Sequence, residues 1–155
     1  NFLELGRALE QKNIQVVIVG TGHDSDLTET LAQGLSKPLL FQNGLHELAA
    51  LLSNLNCFVT NDSGPMHLAL AVNVPVISLF GPTDHLETGP ISSISQQLTI
   101  QRSVTCFPSV DFPITESQCF NKKCANPICI NQIPVGEVLE NVLLVLNGLS
   151  NDASA

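Results

Sequence analysis

The apolar positions of the chain switch between two periods. Phe2, Leu3, Leu5, Ala8 and Leu9 share one stripe of a helix over residues 2–12. The run Ile14-Gln15-Val16-Val17-Ile18-Val19 then reads as a buried strand that ends in Gly20-Thr21-Gly22. Helical spacing returns over residues 24–34, opened by Asp24, Ser25 and Asp26 as possible caps and favourable N-terminal charges. Pro38 to Phe41 is a short strand, Gln42-Asn43-Gly44 a turn, and Leu45 to Leu55 a helix whose buried side holds Leu45, Leu48, Ala49, Leu51 and Leu52. Cys57 to Thr60 favours a strand, and Met66, Leu68, Ala69, Leu70, Ala71 and Val72 fit a buried helix after Gly64. Pro75 to Phe80 is almost continuously apolar, as in a parallel strand covered on both faces, and Gly81-Pro82-Thr83 breaks it. This alternation predicts an α/β fold, a Rossmann-like doubly wound parallel sheet.

Beyond Thr88-Gly89-Pro90 the signal weakens. Residues 91–97 read as a loop or short helix, and Leu98-Thr99-Ile100-Gln101 as a last strand. Residues 103–134 show no sustained period and are expected to be an irregular excursion. Pro134 to Leu149 closes the domain as an amphipathic helix, with Val135, Val138, Leu139, Val142, Leu143 and Leu146 at helical spacing, and residues 150–155 form a frayed tail. The expected domain is therefore residues 1–149. Because Asn1 leads directly into a helical pattern without a starting Met, the chain is read as part of a longer protein.

The irregular excursion carries Cys106, Cys119, Cys124 and Cys129. Their spacing lacks the Cys-x-x-Cys knuckle usual in zinc ribbons, so the preferred reading is thiols packing an irregular loop, with a zinc or iron–sulfur site as the alternative. Cys57 reads as a small apolar strand residue. With 155 residues, 44% of them hydrophobic and 13% charged, the chain is long enough for one domain with an aliphatic core. Its formal charge of −8 argues against nucleic acid as a partner, since that affinity depends on Lys and Arg meeting phosphates. No apolar stretch approaches the roughly 20 residues of a membrane span, and no signal peptide opens the chain, so the cytoplasm is the default compartment.

The chemistry concentrates between Asn61 and Thr83. Asp62 and Ser63 fall where a strand ends and a helix begins. Ser63 is a natural N-cap, Gly64 lets a ligand approach the backbone, and Pro65 suits the first turn because its missing N–H was unpaired there anyway. Such a helix start is an anion site, and in open α/β sheets ligands bind beyond the carboxyl ends of the strands. A carboxylate at a strand end can accept hydrogen bonds from neighbouring sugar hydroxyls, although an Asp-Ser pair also serves as a plain cap. No Lys or Arg occurs from Asn61 to Pro90, so within that stretch only backbone N–H groups or His67 can meet negative charge. Gly20-Thr21-Gly22 adds a weak nucleotide signal that a conformational need for glycine would explain equally well. His23, His46 and His85 read as exposed loop or helix-start residues, and Glu87 as a solvated charge.

The segment Asn61-Asp62-Ser63-Gly64-Pro65-Met66-His67-Leu68-Ala69, followed by Leu79-Phe80-Gly81-Pro82-Thr83-Asp84 and Thr88-Gly89-Pro90, closely resembles the donor-binding half of family 9 glycosyltransferases, the lipopolysaccharide heptosyltransferases and their relatives. The resemblance extends from Phe2 to about Leu146. It implies the C-terminal half of a GT-B glycosyltransferase that binds a nucleotide-diphosphate sugar, ADP-heptose first among them, for inverting transfer to a lipopolysaccharide core acceptor. It further implies that Asp62, Ser63, Gly64 and His67 contact the donor, with Gly81, Pro82 and Thr83 on the second loop. Asp24 would hold ribose hydroxyls and Asn43 and Gly44 would lie beside the base. No metal or cofactor is implied. The catalytic base and a phosphate-binding Lys would belong to the preceding part of the protein, so this chain alone is expected to be inactive. A peripheral place at the inner face of the inner membrane goes with such an acceptor. Two alternatives stay open: another nucleotide sugar, because Asp24 and the loop of residues 42–44 depart from the family pattern where base and ribose would be read, and a non-catalytic nucleotide-sugar-binding module.

Overall fold

The computed structural model describes residues 1–20, 25–90, 96–102, 104 and 127–152. Twelve elements follow one another: α1 (Phe2–Glu10), β1 (Val17–Val19), α2 (Ser25–Gln33), β2 (Leu39–Phe41), α3 (Leu45–Leu52), β3 (Phe58–Asn61), α4 (Gly64–Ala71), β4 (Val76–Phe80), α5 (His85–Thr88), β5 (Gln97–Gln101), α6 (Ile128–Asn131) and α7 (Val135–Asp152). All strand pairings among the described residues are parallel. β1 pairs with β2, while β4 lies between β3 and β5, with Asn61 opposite Leu79 and Phe80 opposite Gln101. The α/β reading therefore holds.

The core explains why β4 is apolar at all but one position. Val76 and Phe80 join Leu48, Leu52, Phe58, Met66, Ala69 and Leu70, a cluster built on α3 and α4. Ile77 and Leu79 point the other way and join Leu5, Ile100, Ile133, Val138 and Val142 under α1 and α7. Successive strand residues face opposite sides, so a strand covered on both is apolar at nearly every position. Its one polar member, Ser78, is fully buried and satisfied: its hydroxyl donates to the Leu98 carbonyl at 3.1 Å and lies 3.2 Å from Thr99 Oγ1. Val19 and Phe41, from the two-stranded sheet, pack against the first cluster. The doubly wound expectation is met in that helices cover both faces, while the described strands pair as two parallel sheets, of two and three strands, and not as one.

Two helices end in the same way. Asn73 adopts φ 60°, and the N–H groups of Asn73 and Val74 donate to Leu70 and Ala69 carbonyls at 3.1 and 3.0 Å. Asn13, also at φ 60°, and Ile14 do the same at the end of α1. Asn accepts this left-handed conformation more readily than other side chains, and the reversal directs the chain into the next strand. It also shortens β1 relative to expectation, because Ile14 is used in the helix end. The closing helix runs three residues further than expected, to Asp152, so its tail is helical up to that point. Within the expected irregular stretch the described residues include the single-turn α6; Cys106, Cys119 and Cys124 lie outside the described residues. No described helix is long and apolar enough to cross a membrane.

Candidate functional site

The carboxyl ends of β3, β4 and β5 bring three segments together: Asp62–Gly64, Gly81–Thr83 with α5, and Gln101. Asp62 follows β3 and is half-buried. Its Oδ2 accepts a hydrogen bond from Thr88 Oγ1 at 2.9 Å, across 26 residues of sequence. The plain-cap explanation for Asp62 is therefore wrong here: its carboxylate turns to α5 and not to the N–H groups of α4.

Ser63 occupies the N-cap position of α4 in extended geometry, φ −165° and ψ 164°, yet no side chain caps this helix. The expected Ser63 cap is thus corrected. Its hydroxyl lies 3.1 Å from the Asn61 carbonyl and 3.2 Å from Thr60 Oγ1, so it is drawn back to the strand end. The consequence favours a ligand, because backbone N–H groups of the first turn are left without a side-chain acceptor among the described residues. Pro65 sits in that turn as expected. Gly64 is exposed, and a Cβ built on it would meet nothing within 4 Å. His67 is exposed one turn along. Met66, Ala69 and Leu70 take the buried side of α4, so Gly64 and His67, three residues apart, share the open face.

The second loop is held from below. Gly81 is buried, and a Cβ there would stand 3.1 Å from Ile130 Cγ1, so α6 fixes how closely the loop lies on the domain. Pro82 and Thr83 are half-buried beside it. Asp84 caps α5, its Oδ1 accepting from the Leu86 N–H at 2.8 Å. Gly89 ends α5 where a Cβ would come within 2.0 Å of the His85 carbonyl oxygen, so no larger residue fits the present backbone. His85, expected to be exposed, is half-buried: its ring meets Phe80 edge-on with centroids 6.2 Å apart, and Nδ1 lies 2.6 Å from Gln101 Oε1. Its apolar neighbour and a polar partner from β5 explain the difference.

Of the other expected site residues, Asn43 and Gly44 form the exposed turn from β2 into α3, where Gly44 is the N-cap. They stand at the end of β2, in the other parallel pair from Asp62. Asp24 and Thr21-Gly22-His23 lie outside the described residues. Thr88, His85 and Gln101 were not identified from sequence as site residues. Only Thr88 carried a signal, as part of the Thr88-Gly89-Pro90 motif.

Among the described residues the charge at this edge is one-sided. Asp62, Asp84 and Glu87 are acidic, and Arg102, next to Gln101, is engaged by Glu137 in an ion pair. Cys129 is buried beside Val104, and Cys57 is half-buried with its thiol pushed up to about 11 by burial. Both are free thiols. A groove of about 570 Å³ lined by Arg7, Glu10, Gln15 and Lys37 lies at the amino ends of β1 and β2, on the opposite sheet edge. Its polar groups serve the fold: Glu10 accepts from the N–H groups of Ser36 and Lys37 at 2.8 to 2.9 Å, and Arg7 Nε donates to the Gly34 carbonyl.

Parallel strands covered on both faces, with an uncapped helix start and a carboxylate at adjoining strand ends, define an open α/β domain, and it is at this edge that such folds in general take their ligands. The chain belongs to glycosyltransferase family 9 (heptosyltransferase), whose family model matches residues 1–118. It is similar to lipooligosaccharide heptosyltransferase 2 of Haemophilus influenzae, 34% identical over 99 residues, covering 59% of this chain and 29% of that protein. It is also similar to lipopolysaccharide heptosyltransferase 3 of Escherichia coli K12, 41% identical over 91 residues, covering 55% and 26% respectively. Its fold matches the structure of E. coli ADP-heptose lps heptosyltransferase II with a TM-score of 0.76 at 23% identity, over 96% of this chain and 41% of that one. The chain therefore spans well under half the length of these relatives.

Proposed function

We propose that this chain is the donor-binding domain of an inverting glycosyltransferase that transfers heptose from ADP-heptose to a lipopolysaccharide core acceptor. The observation that carries the reading is Asp62, held at the end of β3 by Thr88 beside the uncapped start of α4. In this reading Asp62 accepts hydrogen bonds from sugar hydroxyls, each contributing about 1.5 to 3 kcal/mol because the acceptor is charged. The N–H groups at Ser63 and Gly64 meet the diphosphate, with His67 as a further donor and Gly81, Pro82 and Thr83 bordering the sugar. Asp24 holds the ribose, and Asn43 and Gly44 lie beside the base. Membership of the family supports the assignment, as do relatives named for heptose transfer.

The division of labour follows from charge. A helix start gives an anion up to about 2 kcal/mol, whereas micromolar binding needs about 8 kcal/mol. No Lys or Arg occurs from Asn61 to Pro90 and Arg102 is engaged by Glu137, so in this reading the remaining affinity comes from the base, the ribose or residues outside this stretch. The acceptor hydroxyl attacks the anomeric carbon from the side opposite the donor domain, its proton passing to a base supplied there, while the nucleotide diphosphate departs along the start of α4. The same reading puts the intact protein in the cytoplasm, peripheral at the inner face of the inner membrane.

Calorimetric titration with ADP-heptose, ADP, UDP and GDP tests this, alongside Asp62→Ala. Selective binding of the ADP compounds is expected, with only the sugar-dependent increment lost in the variant. Equal affinity of wild type and variant for ADP-heptose would remove Asp62 from the donor site.

A further inference from the structure

Gln101 is the last residue of β5 and lies opposite Phe80, the last of β4, which places its side chain under the loop that follows β4. Nε2 donates to the Gly81 carbonyl at 3.1 Å and to the Thr83 carbonyl at 2.8 Å. Carbonyls only accept, so the amide group can face them one way only, and its Oε1 is left toward His85 Nδ1 at 2.6 Å. An oxygen acceptor at that distance requires the proton on Nδ1. One side chain thus fixes both the loop and the first residue of α5.

The far end of the same helical turn holds Asp62. Thr88 Oγ1 lies 2.9 Å from Asp62 Oδ2 and 3.1 Å from the Asp84 carbonyl, and a hydroxyl has one proton for the two acceptors. The charged acceptor is the stronger. A small displacement of α5 would hand the proton to Asp84 and release the carboxylate. Between Gln101 and Thr88 there is a single helical turn, with Gly89 fitted tightly against the His85 carbonyl, so the two ends move together.

We propose that Gln101 is a positioning residue for Asp62: it sets α5, and α5 sets, through Thr88, which carboxylate oxygen is tied down and which faces a ligand hydroxyl. The functional consequence rests on the donor-binding reading of Asp62.

The test compares this chain with its Gln101→Leu and Thr88→Val variants by NMR and by titration with ADP and ADP-heptose. Gln101→Leu is expected to reduce the Nδ1–H form of His85, read from its ring nitrogen shifts. It should also move the Asp62 Cγ shift in the same direction as Thr88→Val. The affinity gain of ADP-heptose over ADP should fall about tenfold in both variants, while ADP itself binds within about twofold of wild type. Thr88→Ser, which keeps the hydroxyl, should restore the gain. If Gln101→Leu does not fold, His85→Phe keeps the ring against Phe80, removes the donor to Gln101 and is judged by the same shifts. An Asp62 shift that responds to Thr88→Val but not to the Gln101 or His85 change overturns the proposal. If wild type gains nothing from the sugar, the donor reading fails instead, and the Asp62 shift still decides whether Gln101 positions it.

Discussion

Gly64→Ala separates stability from binding because the open space at Gly64 and the proposed donor site give opposite signs for them. No glycine among the described residues has positive φ, and the added Cβ at Gly64 has nothing within 4 Å, so alanine fits the native backbone without strain. At a compatible position, Gly→Ala stabilises by about 0.4 to 1 kcal/mol, chiefly by narrowing the unfolded ensemble. For a domain of this size that raises Tm by about 1 to 4 °C. Binding should move the other way. A phosphate oxygen about 2.9 Å from the Gly64 nitrogen would be crowded by a methyl group on the same residue, and a tenfold loss of ADP affinity corresponds to about 1.4 kcal/mol. Thermal unfolding with and without ADP measures both effects on one sample. A lower Tm in the free variant would refute the open-space argument. An unchanged ADP affinity would refute the close approach of the ligand to this backbone.

Gly89→Ala should do the reverse to the fold: with His85 O only 2.0 Å from the new Cβ, α5 must shift, at a cost of about 1 to 3 kcal/mol. Loss of amide protection confined to residues 85–89 would show it, and unchanged exchange would contradict it. Glu10→Gln probes the amino edge. The N–H groups of Lys37 and Ser36 hold the Glu10 carboxyl below its ordinary 4.5, so its contribution is present above about that pH and is lost as pH falls through the lowered value. The stability gap between wild type and variant should therefore be full at neutral pH and close in acid; a gap independent of pH would refute it. Cys57, its thiol raised to about 11 by burial, should resist thiol reagents near neutral pH until the chain unfolds, as peptide mapping after labelling would report.

The parts of the fold that were legible in the sequence are those with a local cause. The run from Val76 to Phe80 announces a strand covered on both faces, and the clusters on either side of β4 are that cover. Pro65 marks the first turn of α4 for a reason contained in its own ring. Boundaries were less legible where one residue could serve two elements. Ile14 suits a strand by type, but its N–H completes the end of α1, so β1 begins only at Val17. Ser63 shows the same limit at the level of atoms: its position is a cap, whereas its hydroxyl has the Asn61 carbonyl and Thr60 within reach and turns away from the helix.

The site divides along the same line. Asp62, Gly64 and His67 follow from one contiguous motif, and the structure sets them at one helix start. What holds Asp62 does not follow, because Thr88 is 26 residues away and Gln101 reaches Gly81 across 20. Neither pairing leaves a periodic trace: a Thr at the end of a short turn and a Gln at the end of a strand are ordinary in both places. They acquire a role only when parallel pairing puts Gln101 opposite Phe80 and the loop after β4 folds back toward β3. A carboxylate at a strand end is therefore a readable candidate, while its orientation is a property of sheet register. Altering the register contact through Gln101 should consequently change the proposed sugar recognition with every residue of the Asn61–Ala69 motif intact.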